Sequence, residues 1–356
     1  MRIQAHLEEA QRLAQASGDE GRLAWAAVYM SNYFWREGDP DQAVALGQQA
    51  LGIAEQRGDL PLKITAGLRL GQGYHALGDY RRAAKRLREN LLLIPGQLSR
   101  STFGLAGLPS VFSRAFLAWS LAELGEFGEG IVHGKEALSI ATKANQVYSR
   151  CIAHFALGFL YLQRGEPGRA LRVLGSGLTV AERGQILAMR AMFLAALGHA
   201  HTLCARPDQA LDLAEQSVEP STFALSPQHP FPLLFLAAAR LEAGLVERSA
   251  ETAREALQLC RTRRDLGAEA WTLHLLGNIG SFRRPRDLEP VQRHYCQAMA
   301  LAVRLAMRPL IAHCHFGLGR LHACLGDRTQ ADEHTGVAAS MYRQMGMTYW
   351  IERAAR

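Results

Sequence analysis

The chain has 356 residues, a length at which a single globular core tends to give way to several domains or to a repeat array. Hydrophobic residues make up 48%, which excludes a disordered chain, and the longest apolar stretch, Phe231 to Ala239, is far below the roughly 20 residues a membrane helix needs. The net charge of +7 is carried mostly by arginine and is dispersed, and Met1 to Ala16 alternates charged and apolar residues with no signal-type apolar core, which together point to a cytoplasmic protein without membrane insertion.

Taken in chain order, one pattern recurs: an apolar helix, a Gly-Asp-like turn, and a second helix opening on a small residue. An incomplete unit over residues 1–18 leads into it. The turns are Gly38-Asp39-Pro40, Gly78-Asp79-Tyr80, Gly125-Glu126-Phe127 and Gly165-Glu166-Pro167, then weaker copies at Ala205-Arg206-Pro207 and Gly244-Leu245, and a clear one at Gly326-Asp327. Glycine supplies the left-handed residue that ends a helix. The following acid caps the next helix or sits at its positive end, and proline suits a first helical turn. A second set of turns, among them Gly58-Asp59, Ala144-Asn145, Gly184-Gln185, Arg264-Asp265 and Gly346-Met347, closes each pair. The expected units are 19–59, 60–108, 109–145, 146–184, 185–225, 226–265, 266–307 and 308–347, with a partial unit over 348–356. The unit from 266 is degenerate, with a basic turn from Ser281 to Asp287.

Small residues fall at fixed offsets where two helices must approach closely. Gly71, Ala118, Gly158, Gly198, Gly277 and Gly319 lie in first helices, and Ala43, Ala83, Ala170, Ala210, Ala250 and Ala331 lie early in second helices. The densest basic group, Arg81, Arg82, Lys85, Arg86 and Arg88, has the spacing of the solvated face of one amphipathic helix, which argues against a nucleic-acid partner.

Chemical motifs are missing. Gly130 to Lys135 fails the phosphate-loop spacing, because residue 129 is Glu and Glu136 stands where Ser or Thr is required. His199-x-His201-x-x-Cys204 and His313-Cys314-His315 look like metal clusters, but helix residues two apart point to different sides. Six cysteines, Cys151, Cys204, Cys260, Cys296, Cys314 and Cys324, form no C-x-x-C pair and are expected to be reduced and mostly buried. No catalytic residue, cofactor or metal site is assigned, so the chain is expected not to be an enzyme.

The run Leu70-Gly71-Gln72-Gly73-Tyr74, with Gly78-Asp79-Tyr80 and Ala83, resembles the tetratricopeptide repeat. The period here is about 40 residues against the usual 34, so each helix is longer by most of a turn, as in the extended repeats of some bacterial regulators. A narrower resemblance joins Arg308 to Gly319 with Met341 to Met347. It is to the C-terminal tetratricopeptide arrays of large bacterial signalling proteins that also carry nucleotide-cyclase and AAA-type ATPase domains. The resemblance implies an all-α, right-handed solenoid of antiparallel helix pairs and a protein or peptide partner held on the concave face. The family's groove-facing positions correspond here to Asn32, Trp35, Gln72, His75, Trp119, Phe155, Phe159, His199, Asn278 and Arg320. Among them Trp35, Trp119 and Phe159 are expected to carry binding, since aromatic side chains dominate interface centres.

Two segments break the rhythm, Pro95 to Pro109 and the proline-rich Pro220 to Pro232. The sequence therefore points to an interaction or regulatory module of a bacterial signalling protein. The alternative is an effector-sensing solenoid that binds a small molecule or peptide and changes curvature.

Overall fold

The computed structural model describes residues 2–94, 96–220, 230–282 and 288–355. Most of the segment between Pro220 and Pro232 and most of the basic turn Ser281 to Asp287 lie outside the described residues. Those described form eighteen α-helices and no strand. After α1 (Arg2–Ser17) come eight antiparallel pairs. They are α2 (Glu20–Glu37) with α3 (Pro40–Arg57), α4 (Leu60–Ala76) with α5 (Tyr80–Leu92), α6 (Pro109–Leu124) with α7 (Phe127–Lys143), and α8 (Val147–Arg164) with α9 (Pro167–Arg183). Then follow α10 (Leu187–Leu203) with α11 (Pro207–Val218), α12 (Phe231–Glu242) with α13 (Val246–Thr262), α14 (Leu266–Phe282) with α15 (Glu289–Arg304), and α16 (Arg308–Leu325) with α17 (Arg328–Met345). A short α18 (Thr348–Ala354) closes the array. The fold is an all-α solenoid.

The turn residues work in two ways. Asp19, Asp39, Asp59, Asp79 and Asp327 each accept a hydrogen bond through the side chain from the amide three residues on. Glu126 and Glu166 stand at the same place but make no such bond; their charge simply sits at the positive helix end. Where glycine is missing from the left-handed position, Asn145, Gln185, Ala205, Arg264 and Ala306 take positive φ instead. The small residues act as expected at helix crossings: a side-chain carbon on Gly71 would meet the Leu87 side chain, and one on Gly198 would meet the Ala210 and Ala214 backbone.

The insertion before α6 is tied down. Ser149 Oγ accepts from the Leu108 amide at 2.9 Å, Gln146 Nε2 donates to Ala106 O at 2.7 Å, and the Tyr29 hydroxyl donates to Gly104 O at 3.4 Å. The basic face of α5 is largely neutralised: Arg82 pairs with Asp79, Arg86 with Glu89, and Arg88 with Glu126 and Glu129. Cys151, Cys260 and Cys314 are buried, Cys204 is half-buried, and Cys296 and Cys324 are exposed; all six are free.

The array coils until its later pairs return against its earlier ones. Arg263 donates to the carbonyls of Arg36 (2.6 Å) and Glu37 (3.3 Å), and Arg264 pairs with Asp41 at 2.7 Å. Leu305 packs on Gly78, Met345 on Gly125, and Tyr349 and Trp350 on Gly165. The Tyr349 hydroxyl donates to Leu203 O at 2.8 Å. Thus the turns inside the first four pairs seat residues from the sixth pair onward, and two coils of the solenoid stack directly.

The contact of Gly267 with Tyr80 isolates this stacking. Gly267 lies in the first turn of α14, and the atoms a side-chain carbon would meet all belong to Tyr80 on α5, the hydroxyl first. Gly267→Ala should destabilise by about 1–3 kcal/mol, although alanine favours helix. Tyr80→Phe in the same chain should recover much of that loss. A double-mutant cycle by chemical denaturation checks it; additive effects would mean that the two coils do not touch there.

Candidate functional site

The inner face of the coil is formed by first helices, and helical spacing selects the side chains that reach it. Along α14 these are Trp271, His274, Asn278 and Ser281, and along α12 they are Phe231, Phe235 and Ala238. With matching positions of α8, α10 and α16, and with Trp350 and Arg353 of α18, they enclose a cavity of about 940 Å³.

Its wall is mostly aromatic and aliphatic. His199 stacks on Phe235 with ring centroids 4.4 Å apart, and Phe231 stacks on Phe235 at 5.5 Å. The polar groups are mostly uncharged. Tyr295 donates its hydroxyl hydrogen to Asn278 Oδ1 at 2.8 Å, and Tyr342 shares a 2.8 Å hydrogen bond with His313 Nδ1. Burial pushes His199 and His274 down to about 4 and holds His313 well below the ordinary histidine value, so all three rings are neutral at pH 7. Charges stand only toward the rim, with Arg320, Glu242, Asp332 and Arg353. Two buried polar atoms of lining residues, His199 Nδ1 and Trp350 Nε1, have no hydrogen-bond partner among the described residues.

Of the residues the sequence singles out, His199, Asn278, Arg320 and Phe159 line this cavity. Trp35, His75 and Trp119 face a much smaller cleft of about 70 Å³ on the other side of the Phe231 ring. Asn32 is half-buried and borders neither. Gln72, Phe155 and Phe159 are 1%, 3% and 1% exposed, buried among neighbouring side chains rather than displayed on an open groove. The cause is the return of the second coil. Trp119 is surrounded by His75, Phe116, Phe155, Phe159 and Phe231, a cluster that fills the lumen where an open groove was expected. Trp271, His274, Phe231, Phe235, His313 and Trp350 also line the cavity and are not among the groove-facing positions that the resemblance implies. The spacings Phe231-x-x-x-Phe235 and Trp271-x-x-His274-x-x-x-Asn278 were available as signals.

A buried carboxylate joins the two coils beside that cluster. Glu123 of α6 is 2% exposed and accepts from Trp271 Nε1 at 3.0 Å and from Gln163 Nε2 at 3.3 Å. Burial raises it to about 7, and raises nearby Asp265 to about 6.

No family model matches the sequence, and no curated protein matches it. Solved structures do. A Rap conjugation gene regulator of plasmid pLS20, solved with the Phr* peptide, matches with a TM-score of 0.65 and 14% identity over 86% of this chain and 84% of that one. A Rap protein complexed with competence and sporulation factor matches with a TM-score of 0.60 and 12% identity over 93% and 94%. NprR with its cognate peptide NprX gives 0.54 and 11% over 88% and 87%. The chain has a tetratricopeptide-like fold. At these identities the likeness is one of architecture alone.

The Glu123 carboxyl has a pH signature. In the unfolded chain it ionises near 4.5, and in the folded chain near 7. The folded state therefore holds the extra proton between those values, and stability falls as pH rises from about 4.5 through 7. Glu123→Gln removes this term. The melting temperature of the wild type should fall relative to Glu123→Gln between pH 5 and 8, and parallel curves would refute the assignment. The neutral histidines act in the opposite direction: each lowers stability as pH falls from about 6.5 through 4, in both proteins alike.

Proposed function

We propose that the chain is a receptor for a short linear peptide, bound in the cavity between α8, α10, α12, α14, α16 and α18. The observation that carries this reading is the cavity itself. Its volume of about 940 Å³ lies at the upper end of ordinary ligand sites, and its wall is apolar with a few convergent uncharged polar groups. A folded partner cannot enter a lumen of this size, whereas an extended segment can. The amides of Asn278 and Gln163 suit a peptide backbone, and the Phe231, Phe235 and Trp271 rings suit apolar side chains. Two of the solved structures of similar fold hold peptides, which adds support from architecture.

Regulation follows from the stacking. The coils touch through turn residues and through contacts between first helices such as Trp271 with Glu123, so a ligand that wedges between first helices changes the pitch and the outer surface together. On this reading the chain is a cytoplasmic regulatory module with no catalytic step, and the C-terminal resemblance would place such a module in a cyclase- or ATPase-linked signalling protein. A small-molecule effector is the second reading, favoured by the two unpartnered polar atoms in the wall.

Ala238 of α12 is half-buried on the cavity wall, where a larger side chain would occupy the lumen. Short synthetic peptides of mixed apolar composition should change the fluorescence of Trp271 and Trp350 in the wild type. Ala238→Trp should weaken that binding tenfold or more with little change in melting temperature. Peptide binding that survives Ala238→Trp places the site elsewhere, and saturable binding of metabolites without any peptide response favours the second reading.

A further inference from the structure

Six helices wall the cavity, and five of them are fixed by their own burial. α8, α10, α12, α14 and α16 each carry at least seven buried residues, and each packs on the second helix of its pair. α18 differs. It has seven residues and none of them is buried, yet Trp350, Arg353 and Ala354 form part of the wall.

A short set of contacts holds α18 down. Leu203 ends α10, and the amide that would serve its carbonyl inside a longer helix belongs to residue 207, a proline with no N–H. The Tyr349 hydroxyl donates to that carbonyl instead, at 2.8 Å. Trp350 lies against the bare backbone of Gly165 at the end of α8, and its ring meets His313 of α16 edge-on with centroids 4.4 Å apart. α18 therefore spans the gap from α16 to the ends of α8 and α10, from one coil to the other. Docking is imperfect: Trp350 Nε1 is buried with no acceptor among the described residues, a cost that undocking relieves. Behind α18 the chain is anchored, because Met347 is fully buried. An element with little burial, next to a fixed anchor, opens locally at far less cost than the array around it.

We propose that α18 is a strap over the cavity, which swings out after Met347 to admit a ligand and returns when Tyr349 meets the Leu203 carbonyl again. The strap sets how fast the cavity fills and empties. It matters for function only if the cavity is a ligand site, as proposed above, but its motion is measurable without any ligand.

The full chain carrying Ala238→Cys places a thiol on the cavity wall. Its reaction with an N-alkylmaleimide is followed site by site by mass spectrometry. Exposed Cys296 and Cys324 give the rate of a free thiol, and buried Cys151 and Cys260 report opening of the whole array. The thiol at position 238 should react at least tenfold more slowly than Cys296, but faster than Cys151. Adding Tyr349→Phe, which deletes one hydroxyl, should speed position 238 roughly threefold or more and leave Cys151 and Cys260 unchanged. Trp350→Ala in its place should speed position 238 in the same way. The proposal is overturned if position 238 reacts as fast as Cys296 with the strap intact, since the cavity is then open regardless. It is also overturned if Tyr349→Phe leaves that rate unchanged, or speeds Cys151 and Cys260 in proportion, which would make α18 a structural brace. Peptide binding separates the two readings. If apolar peptides fail to bind while position 238 still responds to Tyr349→Phe, the peptide reading falls and the strap stands. If peptides bind with association and dissociation rates that Tyr349→Phe does not change, the strap falls and the peptide reading stands.

Discussion

The return of the second coil onto the first is the constraint from which the rest of the structure follows. Helix pairs joined by tight turns can form an open arc, and then their inner face is a groove. Here the arc curls far enough for Arg263 to reach the carbonyls of Arg36 and Glu37, and for Met345 and Trp350 to cover Gly125 and Gly165. These contacts need bare backbone at the receiving turns. The glycines that terminate α6 and α8 therefore serve twice: they supply the left-handed cap, and they leave room for a side chain from the other coil.

Closure turns an interaction surface into a core. The aromatic residues of α6 and α8 would be solvent-facing in an open arc, an apolar patch of the kind usually reserved for partners. With α12 and α14 brought against them, Trp119, Phe155, Phe159 and Phe231 bury one another at centroid distances between 5.3 and 6.2 Å. The partner of this surface is the chain itself. What stays open is the space farther along, where α16 and α18 complete a wall that the aromatic cluster does not fill.

The polar groups in the lumen sort by whether the return supplies them with a mate. Glu123 receives the Trp271 and Gln163 donors and stays buried as a carboxyl with a raised pKa. Arg69 receives only the amide oxygen of Gln72. The three neutral histidines of the cavity belong between these cases, hydrogen-bonded in part and kept uncharged by burial alone.

The sequence by itself determined the helices, their pairing and the inner stripe. Each of these rests on interactions between near neighbours: aspartate caps three residues from their amides, left-handed glycines, and small residues facing across one turn. His199, Asn278 and Arg320 were legible as inner-face positions through the resemblance to the tetratricopeptide repeat, which says which face of each first helix turns inward. The tertiary structure alone decided which stretch of that stripe is core and which is cavity. That depends on contacts such as Trp271 with Glu123 and Arg263 with Arg36, between residues 148 and 227 positions apart. A small rotation per pair, summed over five pairs, decides whether such residues meet, and no local pattern in the sequence encodes that sum.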